Sequence, residues 1–190
     1  NRHIIYEERL HGKLETDDMQ DMAMAYAVSK EKKRETITEM ITKLCVSGVN
    51  AIVKNEERLQ QIRSLFDLDG ITVFSDRGNR LVCRNGNYMA EAPDGRLGFE
   101  DEGYLSLFGD DDIFVESNML RLRSQIPAAY AVTQEQEIGA ALQCLSRKEG
   151  IPYTMVNFEV FNRNRKWSDE DITLLTLLGH CIGNLLNYSE

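Results

Sequence analysis

No stretch of the sequence approaches the ~20 consecutive apolar residues that cross a bilayer. The opening, Asn1-Arg2-His3-Ile4-Ile5-Tyr6-Glu7-Glu8, also lacks the charge-then-apolar pattern of a signal peptide. Membrane insertion is therefore not expected, and a cytoplasmic setting is. Cysteine is sparse: Cys45, Cys83, Cys144 and Cys181 are widely spaced with no CxxC pair, which argues against a zinc site or a disulfide framework and for small core hydrophobes in a reducing compartment. Histidine is equally sparse, at His3, His11 and His180. His180 beside Cys181 does not make a thiolate-imidazole pair, because adjacent helical residues point about 100° apart. Basic residues are outnumbered, 22 against 31 acids, and a net charge of −9 excludes the clustered basic face of a nucleic-acid binder.

The acid is concentrated. Glu100, Asp101, Glu102, Asp110, Asp111, Asp112 and Glu116 fall within residues 99–116 with no basic residue among them. A solvated loop is the expectation, since the alternating oxygens and bend glycine of an EF-hand are missing. The first residue is not methionine, which reads as a segment cut from a longer chain whose flanks hold an input anchor and an output domain.

Residues 1–35 are polar, carry Met19, Met22 and Met24 near Tyr26, and end in the charge run Lys30-Glu31-Lys32-Lys33-Arg34-Glu35, as a helical linker would. From Thr36 a stripe strengthens at steps of three and four through Ile41, Leu44, Gly48, Ile52, Asn55, Leu59, Ile62 and Phe66. One long helix or two abutting ones would produce it, and with no proline before Pro93 nothing forces a break. The texture then changes to period two: Gly70–Phe74 and Arg80–Arg84 around Asp76-Arg77-Gly78-Asn79 predict a hairpin, and Asn85-Gly86 and Pro93-Asp94-Gly95 predict further turns. Residues 96–137 form an irregular middle with a short strand at Ile113-Phe114-Val115.

A second antiparallel hairpin is predicted from Ala140–Leu145 and Tyr153–Phe161 around Lys148-Glu149-Gly150. Within its second strand Thr154, Val156, Phe158 and Val160 form the core face, and Tyr153, Met155, Asn157, Glu159 and Phe161 the other. Ser168 is placed to cap a final helix that carries Asp169, Glu170 and Asp171 in its first turn, with Asp171 at the capping-box position. That helix presents Ile172, Leu175, Leu178, Ile182, Leu185 and Leu186, edged by Gly179 and Gly183 where another backbone would fit closely. Leu174, Leu177 and Cys181 widen its apolar surface, as a helix shared with another subunit or a following domain requires. The expected fold class is α+β: an antiparallel central sheet of about five to six strands with helices on one face, preceded by a long N-terminal helix. The opposite face is then free for a ligand beneath the irregular middle.

The run Gly150-Ile151-Pro152-Tyr153-Thr154-Met155-Val156-Asn157-Phe158-Glu159, followed by Arg165-Lys166-Trp167-Ser168-Asp169-Glu170-Asp171-Ile172 and a leucine-rich helix, resembles the close of a GAF domain. Leu65-Phe66-Asp67-Leu68-Asp69 running into Gly70-Ile71-Thr72-Val73-Phe74 resembles the family's first helix and strand. The resemblance covers roughly residues 36–188. It implies a profilin-like sheet and a division into a helical signalling segment, 1–35, and a sensory domain, 36–190. It is nearest to GAF domains of clostridial-type bacteria that precede diguanylate cyclase (GGDEF) or phosphodiesterase (EAL) domains, and so implies control of cyclic di-GMP turnover by terminal helices. No GGDEF or EAL sequence is present.

The cyclic-nucleotide branch of that family carries a spaced Asn-Lys, Phe, Asp-Glu motif. Asn164-Arg165, Trp167 and Asp171 echo it with Arg for Lys, Trp for Phe and Ile172 after the Asp, so a helix cap and a core tryptophan account for these residues better. No Cys-His pair is placed for bilin attachment. The resemblance also admits a thiol enzyme of the methionine sulfoxide reductase kind, with Cys83 and Cys144 meeting across the sheet, although packing roles are favoured. No catalysis, cofactor or metal is expected.

The candidate ligand residues are Arg121, Arg123 and Tyr130. Two arginines at alternating positions of a strand point the same way, and a planar fork suits a carboxylate or phosphate. The expected partners are a small cytosolic ligand and a second copy of the chain joined through the terminal helices. A domain that has lost its ligand and serves as a dimerising relay is the alternative.

Overall fold

The structure, a computed structural model, describes residues 2–76, 81–83 and 101–189, with side-chain surroundings for 17–76, 83, 101–131 and 133–189. The chain divides into two compact units, Asn1–Thr36 and Ile37–Glu190. The first holds most of helix α1 (Arg2–Ser47) and exposes Met19, Met22, Met24, Tyr26 and Val28 to solvent.

In the second unit α1 ends at Gly48, which is left-handed at φ +82° and donates its amide to the Leu44 carbonyl at 3.0 Å. A short α2 (Asn50–Val53) follows, and α3 (Glu56–Phe66) starts where the Asn55 side chain accepts from the Arg58 amide at 3.1 Å. The two weak points of the sequence stripe, Gly48 and Asn55, are thus the two breaks. A glycine that reaches positive φ and an asparagine that caps end helices without proline.

The sheet orders its strands β2-β1-β5-β4-β3: β1 (Gly70–Asp76), β2 (Leu81–Cys83), β3 (Ile113–Glu116), β4 (Ile138–Lys148) and β5 (Ile151–Phe161), every pairing antiparallel. Against an expected five to six strands, the described residues hold four of four residues or more, with the three-residue β2 added at one edge. The β4–β5 hairpin closes through Glu149 and Gly150, both at positive φ, between the paired Lys148 and Ile151. Its handedness matches the twist of the strands. The turns predicted at 76–79, 85–86 and 93–95 lie wholly or mostly outside the described residues.

Helix α6 (Asp169–Ser189) lies on the first sheet face with α3 and the end of α1. Its core there joins Ile37, Met40, Leu44, Ile62 and Phe66 to Val156, Phe158, Val160 and Leu175. A Cβ on Gly179 would sit 2.7 Å from Cys144 Sγ, and one on Gly183 would lie 2.8 Å from Ser146 Cβ. These glycines receive side chains of β4, not a foreign backbone. Of the residues expected to widen the apolar surface of α6, Leu174 and Cys181 pack on this core, as does Leu185, while Leu177 stays half exposed.

Helices do not keep to one face. Helix α4 (Glu102–Leu105), a 3-10 helix (Met119–Leu122) and α5 (Pro127–Glu135) cover the other, where Tyr104, Phe108, Met119, Leu122, Ile126 and Ala129 meet Phe74, Ala141, Leu145 and Met155. The sheet is apolar on both sides at its centre, so both sides must be covered. The acidic stretch is therefore not one solvated loop. Asp101 caps α4, Asp112 pairs with Arg147 at 2.9 Å, and Glu116 is buried at the end of β3.

The turn between β5 and α6 is tied down by arginines. Arg165 donates to the carbonyls of Phe66 at 2.6 Å and Asp67 at 2.9 Å, pairs with Asp171 at 2.9 Å, and stacks on Trp167 with 4.3 Å to the ring centre. One guanidinium thus joins the carboxyl end of α3, where the last carbonyls lack helical partners, to the amino end of α6. Trp167 is buried and donates Nε1–H to the Glu116 carbonyl at 3.2 Å.

Two outcomes follow from these contacts. Gly183→Ala should destabilise the domain by about 1–3 kcal/mol in urea unfolding, and Ser146→Gly in the same chain should restore part of the loss. Arg165→Met should cost about 3–5 kcal/mol because it strands the buried Asp171 carboxylate, and the double replacement with Asp171→Leu should cost less than the single one.

Candidate ligand face of the sheet

On the second face, alternation along β5 sets two polar side chains, Asn157 and Glu159, between the apolar Met155 and Phe161. Register extends them into rows. Thr72 of β1, Asn157 of β5 and Gln143 of β4 are cross-strand neighbours. In the next row Gly70, Glu159, Ala141 and Glu116 stand side by side across four strands. Asn157 and Gln143 are each 6% exposed, Glu159 3% and Glu116 8%, burial in which polar groups require partners.

The partners come from the row itself and from α4. Thr72 donates its hydroxyl to Glu159 Oε1 at 3.0 Å. The Tyr104 hydroxyl donates to Gln143 Oε1 and lies 3.5 Å from Met155 Sδ. Tyr104 is held there because Asp101 caps its helix, accepting from the Tyr104 amide at 3.0 Å. Glu159 fits because its neighbour is glycine: a Cβ on Gly70 would lie 2.8 Å from Glu159 Oε2 and 2.9 Å from the Phe161 ring. Asn157 Oδ1 is buried without a hydrogen-bond partner.

Electrostatics follow burial. Removal from water pushes the Glu159 carboxyl up to about 7, against the lowering effect of its hydrogen bonds with Thr72 and Asn157. Burial likewise drives the Tyr104 phenol far above its ordinary value, with the Gln143 hydrogen bond opposing and Glu159 adding to the rise. Glu116 is better placed: its Oε1 accepts from the Asn118 amide at 2.9 Å and lies 4.0 Å from Arg121.

The residues expected to hold a ligand fall elsewhere. Arg121 is in the 3-10 helix and Arg123 at its end, both exposed, and Tyr130 is half-buried in α5. They are not on a strand, so the two guanidinium groups do not share a direction. Arg121 stands at the rim of the face, 4.0 Å from Glu116. The residues that echo the cyclic-nucleotide motif act in structure: Arg165 pairs with Asp171, Trp167 is core, and Ser168 Oγ accepts from the Asp171 amide at 3.1 Å.

Cys83 and Cys144 belong to opposite faces and do not meet. Burial raises the Cys144 thiol to about 12, far from a reactive thiolate. His180 Nε2 lies 3.1 Å from the Asp111 carbonyl, and among the described residues no three potential ligands gather for a metal. The Asn157, Glu159, Thr72, Gln143 and Tyr104 cluster was not singled out in the sequence. Its one visible signal was two polar residues at alternate positions inside an otherwise apolar strand.

No protein-family model and no curated protein matches the chain by sequence. Solved structures do. The far-red-absorbing dark state of JSC1_58120g3 with bound biliverdin IXa superposes with a TM-score of 0.56 at 16% identity, covering 81% of this chain and 98% of that one. The cyanobacteriochrome TePixJ GAF domain gives 0.52 at 13% identity, over 68% and 84%. The chromophore-binding domain of the bacteriophytochrome RpBphP3 from R. palustris gives 0.61 at 11% identity, over 84% of this chain and 64% of that one. The fold is that of a GAF domain. In this GAF fold the polar rows lie on the sheet face beneath α4, the 3-10 helix and α5, and α6 occupies the other.

The raised Glu159 carboxyl has a signed consequence. The folded state holds this proton between about pH 4.5 and about 7 while the unfolded chain has lost it, so stability should fall across that window by on the order of 3 kcal/mol and then level. Glu159→Gln should remove that slope and equal or exceed the parent in stability at about pH 8. Thermal unfolding of both proteins across the window measures it.

Proposed function

We propose that the chain is a non-catalytic regulatory domain that binds a small cytosolic molecule on the second sheet face. It relays occupancy through α1 and α6 to an output domain of the cyclic di-GMP type. The observation that carries this reading is the buried polar cluster around Asn157 and Glu159, with an acceptor left unpartnered where packing alone would favour apolar side chains. The resemblance to GAF domains that precede GGDEF or EAL domains supports the output. A cytoplasmic setting agrees with the finding that none of the described helices is long and apolar enough to cross a membrane.

A tetrapyrrole like that of the first neighbour does not suit these residues. Phe74, Tyr104, Phe108, Phe114 and Met155 fill the described part of the face, and among the described residues no histidine stands on it. The same filling favours a second reading, a GAF domain without a ligand that works as a dimerising relay. Met19, Met22 and Tyr26, exposed at helical spacing on α1, supply apolar contacts for a second copy.

A panel of cytosolic metabolites screened by thermal shift separates the two. Under the sensing reading a ligand at a hundredfold excess over its Kd adds about 2.7 kcal/mol of stability. Asn157→Leu should abolish that shift while changing the stability of the free protein by less than about 1 kcal/mol, because removing an unsatisfied acceptor offsets the loss of its hydrogen bond with Glu159. Under the relay reading no compound shifts the parent, and sedimentation equilibrium shows a dimer that Met22→Glu dissociates.

A further inference from the structure

The internal hydrogen bonds of the second face use up its hydroxyl donors and leave acceptors open. The Thr72 hydroxyl hydrogen is given to Glu159 and the Tyr104 hydroxyl hydrogen to Gln143. The acceptors left to meet an incoming group are Asn157 Oδ1, unpartnered and in a side chain more than nine-tenths buried, and, once the carboxyl gives up its proton, the second oxygen of Glu159 over Gly70. Charge has the same sign throughout. Glu159 and Glu116 flank Ala141 in one row, two strand spacings or ~10 Å apart. Among the described residues the charged or titratable groups near Glu159 include Tyr104 of α4, Asp69, whose carboxylate accepts from the Phe161 amide, and Arg163, which sits 3.7 Å from Asp69 and is exposed. Among the described residues no cation pairs with Glu159, and Arg121 at the rim belongs to Glu116.

We propose that the ligand of this face is a small organic cation carrying several N–H groups, an amidinium or guanidinium head, which donates to Glu159 and to Asn157 Oδ1. This rests on the sensing reading above and specifies its ligand class. A buried carboxylate without a counter-ion is costly, and a bound cation with N–H donors relieves both the charge and the orphaned acceptor. An anion would enter against two carboxyl groups and find neither hydroxyl free, with only the neutral amide N–H groups of Asn157 and Gln143 to meet it. The face thus selects against the carboxylates and phosphates that the Arg121 and Arg123 pair would favour. Because Glu159 is protonated over part of the neutral range in the free protein, cation binding expels its proton: the O–H bond of the carboxyl breaks, the proton passes to buffer, and the carboxylate pairs with the ligand.

The test is isothermal titration of the full chain with benzamidinium and methylguanidinium, with benzamide as the neutral isostere and acetate and phosphate as anions, in two buffers of different ionisation enthalpy. The expected result is cation binding that releases close to one proton at about pH 6 and none at about pH 9. Glu159→Gln should weaken it at least tenfold (about 1.4 kcal/mol) and Asn157→Leu by a smaller factor, both variants being confirmed as folded by circular dichroism. Cation binding unchanged in Glu159→Gln places the cations elsewhere and overturns the proposal. Binding of benzamide, acetate or phosphate but of neither cation, lost in Asn157→Leu, overturns the ligand class and leaves the sensing reading standing. If neither these probes nor the metabolite panel binds, the proposal and the sensing reading fall together.

Discussion

The antiparallel pairing of β4 with β5 over their full lengths is the constraint on which the other elements depend. Each strand has eleven residues and each is buried on both faces through its middle, which is unusual for an antiparallel sheet with only one long hairpin at its centre. β1 and β3 extend this pair on either side, and β2 extends β1. Helix α6 approaches closely enough to seal the first face because Gly179 and Gly183 let Cys144 and Ser146 in beneath it. The Arg165 junction then fixes where α6 begins relative to α3, through hydrogen bonds to backbone carbonyls and one buried ion pair.

The two faces solve different problems. The first is a conventional apolar core, with its few buried hydroxyl and amide groups gathered towards the far end of α6, where Thr154 bonds Asn187 at 2.7 Å. The second mixes aromatic rings with two carboxyls, two amides and a phenol. A purely structural face would gain by replacing those groups with aliphatic side chains of the same volume. Their retention at the centre of the sheet, beneath short helices joined by irregular backbone, is the physical ground for assigning function to that face. The superposition on chromophore-binding structures adds the fold, and the chemistry has to come from the residues.

Much of the frame was legible because it depends on local rules. Alternation in Tyr153–Phe161 assigned the core face of β5, the Lys148-Glu149-Gly150 turn located the central hairpin, and Ser168 with three acids marked the start of α6. Gly48 and Asn55 were visible as weak points of a stripe, but whether they would break it depended on the sheet against which α2 and α3 pack. The middle was illegible for a similar reason. Tyr104, Phe108 and Met119 have no helical or strand period of their own, and they become a layer only when β4 and β5 present Met155 and Leu145 to them. The strand assumed for the arginine pair does not form, because residues 119–122 wind into a 3-10 turn.

The sequence by itself determined the antiparallel hairpins, the helix boundaries set by glycine and capping residues, and the absence of a helix apolar enough for a membrane. Each of these is fixed by residues within a few positions of one another. Only the tertiary structure decided that both faces of the sheet are covered and that Cys83 and Cys144 are kept apart. It alone brought Thr72, Tyr104, Gln143, Asn157 and Glu159 from four elements into one buried cluster. Cross-strand register and the docking of α4 set those distances. Both arise from the summed burial of residues far apart in the chain, which no local pattern encodes.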